Sequence, residues 1–250
     1  MGLFDKKPYS TTTVRVGGTK IEVRQVLLKG EKMVPQLVAA SVMNARAWLQ
    51  DVLPLRRSWQ YDEKIKPIFR FFFHADPTPE NSNLVWTVLN NINKGLQGSF
   101  GVKISRHDPS TLGYVTGYYS ECANRNGAIY HYDEDDGVLR RQGEIHLYRG
   151  MLNKGDLATV TLIHEAGHRW SGLEDFGDEG YFTEDYSGME SYTLPWQKCL
   201  RNADSYAAFV YFLANPKMTE LRLSKLRERA ERKATAAMGY DLEGAFSMFG

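Results

Sequence analysis

His164-Glu165-Ala166-Gly167-His168 reads H-E-x-x-H. On a helix, residues four apart share one face, so both imidazoles reach a single metal ion. Glu165 then stands beside the first ligand, next to a water on that metal. Two imidazoles and a carboxylate in this order imply zinc-dependent peptide hydrolysis, with Glu165 as the general base. Three fixed letters in five also arise by chance on surface helices, so the context decides. Leu157-Ala158-Thr159-Val160-Thr161-Leu162-Ile163 leads into the motif and is apolar enough to be buried. Asp156 stands where an N-cap belongs, and Gly167 leaves room for close packing.

A catalytic zinc takes three protein ligands and keeps one position open. His164 and His168 supply two. The third is not a downstream histidine at the usual spacing, because position 171 is Ser and position 174 is Glu. Glu184 and Glu190 follow, but neither sits in a clear second helix. His131 and His146 fall on expected strands. The acids around His131 (Asp133, Glu134, Asp135 and Asp136) are better explained by turn chemistry.

The elements that must position this motif are legible in outline. Residues 12–16 and 20–26 alternate around Gly17-Gly18 and read as a hairpin. Val34, Leu37, Val38, Ser41, Val42, Ala45, Leu49 and Val52 recur at helical spacing, giving a helix over 33–53 that Pro54 ends. Residues 65–73 are dense in Phe and read as helix or buried loop; 83–96 read as a second helix after the Asp76-Pro77-Thr78-Pro79 break. Strands are expected at 100–105, 114–119, 128–132, 138–141 and 144–148, with Asp136-Gly137 a tight-turn signal. The motif helix spans 156–170, a Gly- and acid-rich loop follows, and helices return at 194–214 and 218–238. The order makes an α+β chain: residues 1–30 form an N-terminal hairpin extension and 31–250 one catalytic domain. Trp170 and Trp196 read as core or cleft wall, and Tyr148, just before the motif helix, as a residue lining the cleft on an edge strand that would pair with an extended peptide.

Composition sets the bounds. The 250 residues are 42% hydrophobic and 24% charged, with a net charge of +1. No strong field exists to hold nucleic acid or an anionic membrane, and no apolar run approaches the roughly 20 residues that span a bilayer. The first residues, Met1 to Lys7, lack the apolar stretch of a secretory signal, which leaves two expectations: a mature or excised domain, or export by a dedicated route. Cys122 and Cys199 make no disulfide framework and read as two unpaired thiols.

Beyond the motif, Asp178-Glu179-Gly180-Tyr181 has the spacing D-x-x-Y, and Asn202-Ala203-Asp204-Ser205-Tyr206 follows. With H-E-x-x-H these three ordered motifs resemble the deuterolysin and peptidyl-Lys metalloendopeptidase family, the aspzincins. The resemblance covers roughly residues 35–215 and leaves out the hairpin and the 218–238 helix. It implies a zincin-like fold with a small sheet and flanking helices, one zinc per chain, a peptide or protein substrate and a monomer. It also implies an aspartate as third ligand and Tyr181 as donor to the developing oxyanion. The family's Gly-Thr pair before that aspartate is absent. Asp175 keeps the G-x-x-D spacing and Asp178 the D-x-x-Y spacing. Asp178 is preferred, since ligand and Tyr must converge on one metal, and Asp175 is the alternate. Asp204 falls on an apolar face with Leu200, Ala207 and Tyr211, so it needs a partner: a zinc histidine, or a brace for the specificity pocket. The lysine-cleaving branch has an acid where this chain has Ala207. With Tyr206, Ala208, Phe209, Tyr211 and Phe212 around it, a pocket without lysine preference is expected. Two rival readings are a metalloamidase or toxin effector acting on cell-wall or host peptide, and a zincin-like binding module without catalysis. The presence of both Glu165 and Tyr181 speaks against the last.

Overall fold

The computed structural model describes residues 9–26, 33–105, 113–115, 118–119, 129–133, 138–141, 143–177, 180 and 194–217. β1 (Tyr9–Val16) and β2 (Thr19–Val26) pair antiparallel, with Val16 opposite Thr19. The two-residue loop between them needs positive φ twice, and Gly17 and Gly18 supply it at 54° and 82°. β2 then runs parallel to β3 (Phe100–Ser105), and β3 parallel to β8 (Ile145–Tyr148). β4 (Gly113–Val115) lies antiparallel on the far side of β8, giving the order β1-β2-β3-β8-β4. β5 (Tyr118–Tyr119), β6 (Ile129–Asp133) and β7 (Val138–Arg141) form a separate three-stranded sheet. The single strand expected over 114–119 is therefore two short strands in different sheets.

One face of the large sheet carries Ile21, Val23, Val102, Ile104, Ile145 and Leu147, all buried. Strand alternation puts them on one side, where helices cover them. α1 (Val34–Val52) buries Val38, Val42, Ala45, Leu49 and Val52, and ends one residue before a 3-10 turn that holds Pro54. α2 (Arg56–Tyr61) and α3 (Lys66–Phe73) follow. The Phe-rich stretch is thus helical. Ile68, Phe69, Phe72 and Phe73 recur at helical spacing and are buried. α4 (Pro79–Gln97) begins four residues earlier than expected. Thr78 caps it, its hydroxyl accepting from the Asn81 N–H at 3.2 Å, and Pro79 takes the first turn, so half of the apparent chain break is a helix start.

α5 (Asp156–Ser171) carries the H-E-x-x-H motif. Asp156 is its first residue and Gly155 its N-cap, so the aspartate contributes charge at the positive helix end rather than a capping bond. The helix expected over 194–214 is broken in two: α6 (Trp196–Cys199) is a single turn and α7 (Ala203–Ala214) starts afresh after Asn202 leaves helical geometry at ψ 121°. α7 packs on α3 through an aromatic cluster, with Phe209 edge-on to Trp59 and Phe69 at 5.4 and 5.7 Å, and Tyr206 against Phe73 at 5.0 Å. Trp170 stacks edge-on against Phe100, while Trp196 lies 46% exposed and so is not core. Cys199 is buried with its thiol donating to the Leu194 carbonyl; Cys122 lies outside the described residues, as does the stretch 218–238. No helix among the described residues is long and apolar enough to cross a membrane.

A buried guanidinium ties hairpin, α1 and α4 together. Arg46 is 6% exposed; it donates to the Val16 carbonyl at 2.6 Å and, through Nε and Nη2, to the Leu96 carbonyl in the last turn of α4. Losing the guanidinium takes the side-chain donor from both carbonyls. Arg46→Met is expected to cost about 2 kcal/mol of stability, read from the midpoint of chemical denaturation. An unchanged midpoint would show that the two carbonyls find other donors.

Candidate metal centre

The apolar lead-in does what its composition requires. Ala158, Leu162, Ile163 and Ala166 are buried, which sinks α5 into the core and carries His164, Glu165 and His168 with it. The two imidazoles lie one turn apart with ring centroids separated by 4.7 Å. Their Nε2 atoms converge to 3.0 Å. The carboxylate of Asp175 closes the third side, Oδ1 at 3.1 Å from His164 Nε2 and Oδ2 at 3.2 Å from His168 Nε2. His164, His168 and Asp175 offer ligand atoms all within 4.8 Å of one another.

Each imidazole is pinned from behind. His164 Nδ1 meets Asp204 Oδ1 at 2.7 Å, and His168 Nδ1 donates to the Leu173 carbonyl at 2.6 Å. Both partners are acceptors, so each ring donates from Nδ1 and Nε2 is the atom left to face a metal at the shared point. Leu173 reaches His168 because α5 stops at Gly172, which takes the left-handed conformation at φ 61°, ψ 27°. The chain then folds back so closely that a Cβ on Gly167 would come 2.8 Å from Leu173 Cδ1. The room expected at Gly167 is thus filled by Leu173.

Three carboxylates surround two imidazoles. Glu165 is buried, with Oε1 4.0 Å from His164 Nε2, and Asp204 is partly buried. Burial alone would lower the pKa of His164; Asp204, Asp175 and Glu165 outweigh it and hold it well above the usual histidine value. Burial alone would raise that of Asp175, but hydrogen bonds and charge from His164 and His168 hold it well below the usual carboxylate range. Such an excess of negative charge suits a cation. Ligands at ~2.0–2.1 Å in a tetrahedron lie roughly 3.3 Å apart, close to the three spacings found. A zinc-sized dication therefore fits the donor set. The Asp175 side chain is 30% exposed, so the site opens to solvent on that side.

The structure therefore brings His164, Glu165, His168, Asp175 and Asp204 together. Asp178 and Tyr181 lie outside the described residues. Tyr148 is half-buried at the end of β8, and β8 is not an edge: β3 and β4 flank it, so the strand at the edge is β4. His146 is no part of the cluster; burial, with Lys103 and Arg24 adding, lowers its pKa to about 4, which marks a neutral sheet histidine. His131 lies on β6, in the other sheet. The pocket expected around Ala207 does not form there. Tyr206, Ala207, Ala208, Phe209, Tyr211 and Phe212 are all buried because α7 is covered on nearly every side, and they make core. The Leu173 carbonyl was beyond sequence reasoning; the signal at hand was Gly172 as a helix stop.

The fold is similar to that of a zinc peptidase from Grifola frondosa, with a TM-score of 0.52 and 15% sequence identity. The match covers 75% of this chain and 98% of that one. The chain thus has the mixed α+β fold of a zinc peptidase. No family model matches the sequence, and no curated protein does.

Asp204→Asn keeps the shape and an acceptor for His164 Nδ1 but removes the charge. Affinity for added zinc is expected to fall ~10–100-fold with the fold intact, as measured by competition with a chromophoric chelator. Wild-type affinity in this variant would mean that the contact orients nothing that matters to the metal.

Proposed function

We propose that this chain is a zinc-dependent endopeptidase of the aspzincin type, with His164, His168 and Asp175 as ligands and Glu165 as general base. The observation that carries the reading is the convergence of two Nδ1-pinned imidazoles and one carboxylate beside a buried glutamate. Asp175 takes the third ligand position in preference to Asp178, since its carboxylate spans both Nε2 atoms. When bound, zinc supplies Lewis-acid polarisation of the scissile carbonyl and lowers the pKa of water to roughly 7.

The chain's own groups do the rest. Glu165 lies farther from His164 Nε2 than Asp175 does, 4.0 against 3.1 Å, which suits a base beside the ligand set rather than a member of it. It takes the proton of the attacking water and returns it to the leaving amine. Asp204 stabilises His164 as a neutral ligand with its proton on Nδ1. Tyr181, by the family resemblance, donates to the oxyanion, a contact worth ~3–4 kcal/mol in other hydrolases. β4 ends the sheet and offers a backbone edge for an extended peptide substrate. The burial of Glu165 beside His164 supports catalysis over a binding module.

The test is metal content and hydrolysis together. Protein purified without added metal is expected to hold about one zinc per chain. Glu165→Gln is expected to keep that zinc and lose at least ~100-fold in casein hydrolysis. Near-normal turnover by this variant would refute the mechanism, and a wild type that neither holds nor regains zinc would refute the enzyme. The two loop aspartates separate in the same assay. Asp175→Ala is expected to lose zinc and Asp178→Ala to retain it; the reverse pattern would hand the ligand role to Asp178.

A further inference from the structure

Asn202 holds the N-cap position of α7 at φ −86°, ψ 121°. Asparagine there ordinarily turns its side-chain oxygen back onto the N–H groups of the first turn. Here it makes no side-chain cap bond. The carboxamide points across the molecule instead. Nδ2 donates to the carbonyl of Gly180, 22 residues earlier, at 2.8 Å, and to Ser205 Oγ at 3.0 Å. A carbonyl only accepts, so the NH2 end must be the one that faces Gly180. The residue is 1% exposed. Gly180 is pressed onto it: a Cβ there would come 3.0 Å from Asn202 Oδ1 and 3.2 Å from Phe176 Cβ.

The backbone on either side of Asn202 grips the other end of the same loop. The Glu174 N–H donates to the Arg201 carbonyl at 2.8 Å, and the Ala203 N–H donates to the Glu174 carbonyl at 3.0 Å. Glu174 directly precedes Asp175, and Gly180 directly precedes Tyr181. One short segment therefore holds both ends of 174–180, and two residues further on Asp204 holds His164. Phe176 packs against Leu194 and Cys199 between the two ends, and the carboxamide is the polar attachment at the Gly180 end, so its loss removes the donor that holds the Gly180 carbonyl.

We infer that Asn202 is a positioning residue of the metal site: its carboxamide clamps the 174–180 loop against the start of α7, so that Asp175 stands within reach of His164 and His168. The role rests on the zinc-site reading above. It differs from helix capping, the ordinary task of an Asn at this position.

Asn202→Asp keeps size and shape but cannot donate to the Gly180 carbonyl. Tyr206→Phe is the matched control, removing a buried hydrogen bond to the Leu200 carbonyl from the same helix while leaving the Gly180 contact in place. Three measurements are compared in the full chain: zinc affinity by chelator competition, the thermal midpoint, and amide exchange across 174–180 without metal. Asn202→Asp is expected to weaken zinc binding ~10–100-fold, although its added negative charge would by itself strengthen it. Exchange of the loop amides is expected to speed up at least ~10-fold. Tyr206→Phe is expected to lower the thermal midpoint and leave zinc affinity as in wild type. An Asn202→Asp protein that is less stable but binds zinc within two-fold of wild type would overturn the inference. If that variant does not fold, Gly180→Ala presses on the same contact from the loop side, and a folded Gly180→Ala with wild-type zinc affinity would overturn it equally. A wild type that binds no zinc would overturn the functional reading and this role with it, an outcome distinct from a loss confined to the variants.

Discussion

Everything at the candidate metal centre depends on two hydrogen bonds donated by Nδ1 atoms. An imidazole free to rotate or change tautomer presents no fixed lone pair. Asp204 and the Leu173 carbonyl remove that freedom, one for each ring. The two acceptors come from different places: one from the start of α7, the other from the chain reversal that ends α5. The site therefore exists only when helix, loop and second helix are assembled together.

That requirement explains why so much of the structure is spent on α5 and α7. Both are buried well beyond what a surface helix shows. Ala158, Leu162, Ile163 and Ala166 lock α5 in place, while Tyr206, Phe209 and Phe212 lock α7 against the Phe-rich α3. Rigid aromatic packing under α7 fixes where its first turn lies, and the first turn carries Asp204. The core thus sets the geometry of the carboxylate, and the carboxylate sets the imidazole. On the other flank, β2 joins the hairpin to the sheet and Arg46 joins the hairpin to α1 and α4.

The described loop residues 174–177 and Gly180 are fastened largely by polar contacts. Glu174 pairs through its backbone with both neighbours of Asn202 and through its side chain with Arg201. That ion pair is exposed and adds little; the buried backbone and carboxamide contacts hold the loop. A side chain carried on a loop can be aimed only as well as the loop is anchored, and here two polar anchors lie in the segment that ends in Asp204.

The sequence by itself determined the features whose causes are local. H-E-x-x-H gave two histidines on one helix face because helix periodicity is a property of neighbours in the chain. Gly17-Gly18 specified a tight hairpin, and the apolar repeat in α1 and the Phe spacing in α3 pointed to buried helix faces for the same reason. Even Asp204 was legible as a buried carboxylate in need of a partner, because its neighbours on the helix are apolar. Tertiary structure decided the rest. Spacing favoured Asp178 over Asp175, yet the described carboxylate beside both Nε2 atoms is that of Asp175, brought there by a fold-back at Gly172 and a bridge to Asn202. The break before α7, the place of β4 at the sheet edge and the burial of Ala207 likewise depend on what packs against them. Each rests on contacts between residues tens of positions apart, and no local pattern of residues encodes which distant partner a side chain will meet.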